Sequence, residues 1–187
     1  MVRVTAVYKP ADYPGDLDER TQADIAELFE YLFPGNADPE IDAAHTGIAV
    51  AAQNPQLALH LARMSGFIVR GLAWCQNQQL HELAVQTVNL HFRCDFTLRA
   101  RSARALSLGI GANLLAAIPD WAVSDLLNGE QKLVVEYTYA VVSGAVPAEL
   151  LARVTAQYGE KEAIECTAAI AWWAMWAMII NALCPSP

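Results

Sequence analysis

Charge is scarce in this chain. Asp, Glu, Lys and Arg make up only 17% of its 187 residues, against 55% apolar ones, and the formal net charge is −8. No Lys-rich patch or basic tail offsets that balance, which argues against nucleic acid or an anionic membrane surface as partner. Cysteine is sparse too: Cys75, Cys94, Cys166 and Cys184 show no paired metal-site spacing, and His45, His60 and His81 complete no metal-ligand set with them. No Gly-rich phosphate loop and no G-x-S-x-G elbow occurs. Chemistry without a metal or nucleotide cofactor is therefore expected. The opening, Met1 to Pro14, is mixed, carries Tyr and Pro, and does not read as a secretory signal. Reduced thiols and a cytoplasmic location follow as expectations.

What is plentiful is apolar surface. A chain of this length can bury a core without disulfides, but 55% apolar residues are hard to hide in one copy. A soluble homo-oligomer is expected. Residues 167–184 (TAAIAWWAMWAMIINALC) run 18 positions without a charge, just within membrane-spanning range. The upstream flank, Glu160, Lys161, Glu162 and Glu165, lacks the basic excess of an anchor. Alanines alternate there with Trp172, Trp173, Trp176, Met175 and Met178, which suits a helix packed by protein on all sides. No membrane span is expected.

The pattern is helical throughout, and no repeat or linker divides the chain. One domain over 1–187 is expected, with residues 1–16 as an irregular arm broken by Pro10 and Pro14. Ile25, Leu28, Phe29, Leu32 and Phe33 recur at helical spacing until Pro34–Gly35. Pro39 opens a second helix to about Gln53, and Asn54–Pro55 reads as cap and first turn of a third, to about Leu72. Asn77 caps one long helix or two abutting ones from Gln78 to about Leu108, ended by Gly109 and Gly111. Short helices are expected over 112–117 and 121–127, then over 130–142. Leu133, Val134, Val135, Tyr137, Tyr139, Val141 and Val142 have strand-like composition, but no partner strand is evident, so helix is assigned. Residues 147–158 form another helix, and Gly159 precedes the last.

Residues 81–104 (HELAVQTVNLHFRCDFTLRARSAR) gather most of the polar side chains with catalytic potential. On one continuous helix, Thr87, His91, Cys94, Leu98 and Arg101 would share a stripe, at spacings of four, three, four and three. His91 would then neighbour Cys94, and Arg101 would lie two turns on.

These residues also carry a resemblance. His81–Glu82–Leu83–Ala84, then Cys94–Asp95–Phe96–Thr97–Leu98–Arg99–Ala100–Arg101, then Ala105 to Ile110 are similar to the carboxymuconolactone decarboxylase/alkylhydroperoxidase D-like family. That family's peroxidase pattern is E-x11-C-x-x-C-x-x-x-H. Glu82 and Cys94 match it, while Thr97 stands for the second Cys and Arg101 for the His. The Asn54–Pro55 helix and the final "INAL" helix look similar as well. The resemblance implies a single-domain, all-α helical bundle assembled as a dimer, trimer or hexamer. It implies a thiol centre partly dismantled, because Thr cannot resolve a sulfenic acid and Arg cannot relay a proton.

Three functions are weighed on that basis. The first is a cofactor-free lyase or isomerase acting on a small carboxylate-bearing metabolite. Glu82 and His91 serve as acid/base groups, Asp95 orients His91, and Cys94 is wall or nucleophile. Arg101 clamps the carboxylate, with Thr97 and Leu98 beside it. The second is a one-thiol peroxidase or disulfide reductase using Cys94. The third is a non-catalytic ligand-binding or assembly protein on the same fold. Plainer roles stand beside these: Cys94 as a buried small hydrophobe, Glu82 as a first-turn acid, Arg93, Arg99, Arg101 and Arg104 as a solvated face, and the tryptophans as packing.

Overall fold

The computed structural model describes residues 3–184; the first two residues of the expected N-terminal arm and residues 185–187 lie outside that description. Every regular element among the described residues is helical. The chain divides into two compact units, Met1–Gly66 with Ile179–Pro187, and Phe67–Met178.

In the first unit α1 (Glu19–Leu32) starts where Asp18 accepts from the Thr21 N–H, and it buries Ile25, Leu28 and Phe29. The arm is held by the Val7 N–H bonded to Ala49 O at 2.8 Å, and its irregularity is relieved only by a 3-10 turn at Pro10–Asp12. The helix expected from Pro39 begins later. Asp42 caps a 3-10 turn at Ala43–His45, and α2 (Thr46–Ala51) follows. In the next helix, α3 (Pro55–Gly71), Asn54 Oδ1 accepts from the Leu57 N–H at 3.0 Å, the cap that Asn-Pro foretells. Val7, Ile25, Leu28, Phe29, Ile41 and Leu59 form this unit's core with small alanines.

The second unit is organised around α4 (Gln78–His91), capped by Asn77 Oδ1 on the Leu80 N–H. Residues 80–89 of α4 are all buried, so it is a central helix rather than an amphipathic surface one. It packs most extensively against α8 (Gly129–Val142). The β-branched run in α8 makes helix, started by a reciprocal Asn128–Gln131 capping box that the sequence reading overlooked. Leu83, Ala105, Ile110, Ile118, Leu127 and Val135 form this unit's core.

The expected continuation of α4 to about Leu108 does not occur. Arg93 adopts the left-handed conformation at φ 52°. Cys94 N–H bonds Asn89 O at 2.8 Å and Arg93 N–H bonds Leu90 O at 3.2 Å, which together close α4 in a Schellman turn. Two short helices follow, α5 (Asp95–Ala100) and α6 (Ser102–Ser107), both folded back on α4. Gly109, at φ 80°, then ends α6 as its position implies. A left-handed non-Gly residue costs about 1–2 kcal/mol, partly offset by the freedom Gly loses on folding. Arg93→Gly is therefore expected to raise stability by about 0.5–1 kcal/mol in urea unfolding.

Helix α7 (Ala112–Ala117) matches its expected bounds, whereas 121–127 forms turns. There the backbone turns through short-range bonds, such as Val123 N–H to Asp120 O, and Ala122 O accepts from Lys132 Nζ on α8. The last element, α9 (Ala148–Leu183), is interrupted at Gly159, whose φ 80° and ψ 163° are open to glycine alone. Its most apolar 18-residue window is long and apolar enough to cross a membrane, and 44% of that window is buried inside the chain. Tyr137 on α8 and Thr167 on α9 share a 2.6 Å hydroxyl–hydroxyl bond.

Candidate functional site

Folding α5 and α6 back along α4 separates the stripe that a straight helix would have made. The four motif positions are brought together as two pairs instead. At one, the Cys94 Sγ and Thr97 Oγ1 lie 3.3 Å apart across the first turn of α5. Cys94 is completely buried. At the other, Arg101 grips Glu82 through both sides of its guanidinium, Nε donating to Oε1 at 3.1 Å and Nη2 to Oε2 at 2.5 Å. Glu82 sits in the first half of α4, and His91 at its end. Nine residues of helix hold them about 13 Å apart along the axis.

The remaining expected residues scatter. His91 is exposed, its ring edge-on to Phe92 at 4.9 Å and tilted toward Tyr139 at 6.1 Å. Asp95 is exposed in the first turn of α5, and Leu98 is half-buried on the same helix. The bend at Arg93 falls between His91 and Asp95, so the i,i+4 helical contact expected of them is not formed.

The densest polar cluster is around Glu82. Its side chain is 1% exposed, yet four donors converge on it: Arg101 Nε and Nη2, Arg104 Nε at 3.2 Å, and Gln86 Nε2 at 2.8 Å. Such saturation is what makes a buried carboxylate tolerable. One negative charge faces two guanidinium groups, so the cluster carries one positive charge in excess. Arg104 binds Glu82 through Nε only, which leaves its two Nη groups uncommitted to that carboxylate. Its side chain is 43% exposed, against 21% for Arg101.

A second layer fixes Arg101. Its guanidinium lies 4.9 Å from the ring centre of Trp173, a cation–π contact. Trp173 Nε1 donates to His81 Nε2 at 2.9 Å, so that nitrogen bears the lone pair and the imidazole proton belongs on Nδ1. Trp74 meets His81 edge-on at 6.2 Å. Burial, seconded by the nearby charges of Arg101 and Arg104, lowers the His81 pKa from 6.5 to about 4 against the opposing pull of Glu82. His81 is therefore neutral at pH 7, and its acceptor is occupied.

Sequence reasoning found Glu82, Arg101, Cys94 and Thr97 but missed His81, Gln86, Arg104 and Trp173 as members of this cluster. Only Gln86 carried a local signal, one turn after Glu82 on the same helix face. Arg104 was read as part of a solvated run, and nothing local links Trp173 to His81. No cluster of His, Cys, Asp and Glu suited to a metal ion occurs among the described residues. Compared with protein-family models, with curated proteins and with solved structures, the chain shows no match.

Proposed function

We propose that this chain binds a small carboxylate-bearing molecule at the guanidinium edges of Arg101 and Arg104, on a scaffold of the carboxymuconolactone decarboxylase-like type. The observation that carries the reading is the charge excess: one buried carboxylate holds two guanidinium groups in place and leaves one positive charge over. Glu82 acts here as the holder of the arginines. Its oxygens already accept four hydrogen bonds, which disfavours the proton-acceptor role. The resemblance is supported by the pairing of 82 with 101 and of 94 with 97, the four positions of the family pattern.

A positive charge fixed on the bound carboxylate stabilises the negative charge that spreads onto it when a neighbouring proton is removed. That favours lyase or isomerase chemistry without redox turnover. The thiol reading is disfavoured, because Cys94 is completely buried and its neighbour is a hydroxyl that cannot resolve an oxidised sulfur. Calorimetric titration with propanoate and butanedioate tests the binding. Arg104→Ala is expected to weaken it by about 10–100-fold, the loss of one charge-assisted pair of hydrogen bonds. Binding unchanged by that substitution refutes the proposal.

Self-association belongs to the same reading. Leu106, Val123, Leu126 and Ile164 are 58–82% exposed in the single chain, large apolar side chains that a second copy would cover. Sedimentation equilibrium should show a closed oligomer; a monomer at micromolar concentration would contradict this.

A further inference from the structure

Gln86 holds an unmet demand. It is completely buried and its Nε2 donates to Glu82 Oε1, yet its own Oε1 meets no donor among the described residues. The amide cannot be turned over to relieve this, because only its NH2 group can face a carboxylate oxygen. A buried carbonyl oxygen without a donor is costly and rare in folded proteins. It lies within one side chain's reach of the Arg101–Arg104 pair, since both it and the arginines are anchored on the same carboxylate.

We infer that the molecule bound at this centre is a hydroxycarboxylate, its carboxylate on the arginines and its hydroxyl donating to Gln86 Oε1. The inference rests on the carboxylate-binding reading and adds the second recognition element. Charge selects the donor. Glu82, Arg101 and Arg104 sum to +1, and a carboxylate neutralises that. An ammonium group would restore the excess in a site where Glu82 and Gln86 are cut off from water, whereas a hydroxyl donates a hydrogen bond at no charge. Exposure orders the cluster: Arg104 faces solvent most and Arg101 less, while Glu82 and Gln86 are enclosed.

The test uses matched pairs that differ by one hydroxyl: propanoate against 2-hydroxypropanoate, and butanedioate against hydroxybutanedioate, by calorimetry at fixed pH and salt. In the wild-type protein the hydroxylated member of each pair should bind about tenfold tighter, the ordinary worth of one buried hydrogen bond. In Gln86→Leu that ratio should fall to about one, whatever the change in affinity for the plain acid. Equal affinities in the wild type, with binding still sensitive to Arg104→Ala, overturn the hydroxyl contact and leave the carboxylate reading standing. No binding by either member of either pair removes both. A tenfold ratio that survives Gln86→Leu assigns the hydroxyl elsewhere and overturns the inference. Should Gln86→Leu fail to fold, Gln86→Met, which keeps the length of the side chain and lacks the carbonyl, makes the same comparison: a ratio of about one supports the inference and a tenfold ratio overturns it.

Discussion

Glu82→Gln should lower the free energy of unfolding by about 3–5 kcal/mol, the usual penalty for removing one partner of a buried ion pair. The substitution keeps shape and volume and takes away only the charge. It leaves Arg101, its side chain 21% exposed and pressed on Trp173, with no anion to offset it. Arg104 loses its partner as well, but at 43% exposed it can turn to water, so most of the loss belongs to Arg101. Against a typical total of about 5–15 kcal/mol, that loss removes between about a fifth and the whole of the stability. The companion experiment is Glu82→Met with Arg101→Met, which exchanges the pair for apolar volume. That double variant should regain much of the loss, because a buried ion pair pays a desolvation cost that methionines do not. Urea unfolding of the three proteins checks both statements. A loss under about 1 kcal/mol in Glu82→Gln would mean that the carboxylate is not held as the geometry shows it.

The elements that were legible from sequence are those whose ends are written in local chemistry. Asn54–Pro55 and Asn77 announced α3 and α4 because a cap side chain bonds its own helix two or three residues on. Gly109 and Gly159 announced ends because a positive φ is easiest for glycine. The break at Arg93 was hidden for the converse reason: an arginine occupies the left-handed position, so a search for Gly and Pro passes over it. That one residue decides the site. A straight helix would have placed Cys94 beside His91 on a common stripe with Arg101; the bend sends α5 and α6 back, delivers Arg101 and Arg104 to Glu82, and leaves His91 in solvent. The helical reading of 121–127 failed because Trp121, Leu126 and Leu127 supply apolar character without a cap or a continuous face. The missed members of the cluster lie far along the chain, His81 and Trp173 being 92 residues apart, and pairing at that range is a property of packing that no window of sequence contains.

His81 makes the stability of this chain sensitive to mild acid. Its folded pKa is about 4, lowered first by burial and then by the charges of Arg101 and Arg104, against 6.5 for the free side chain. Between those values the unfolded chain binds a proton that the folded chain refuses, so stability rises with pH there and is lost as pH falls. The contribution is fully present above about pH 6.5. It should shrink by about 2 kcal/mol on going down to pH 5 and by about 3 kcal/mol near pH 4. The side chain is 2% exposed and little screened, so the shift acts on stability at nearly its full strength. Asp18 and Asp42, whose pKa values are also lowered, titrate below this window. Urea unfolding at pH 7.5 and 5 measures the difference directly, and His81→Gln isolates its source. Glutamine keeps an acceptor for Trp173 Nε1 but cannot take up a proton, so the variant should hold nearly the same stability at both pH values. Protonation would set an imidazolium against the indole N–H it now accepts from, and would place a third positive charge beside Arg101 and Arg104. Protonation of His81 therefore breaks the hydrogen bond that fixes Trp173, and through it loosens the packing on Arg101. A wild-type protein whose stability stays level or rises from pH 7.5 to pH 5 would show that His81 is not buried as a neutral acceptor.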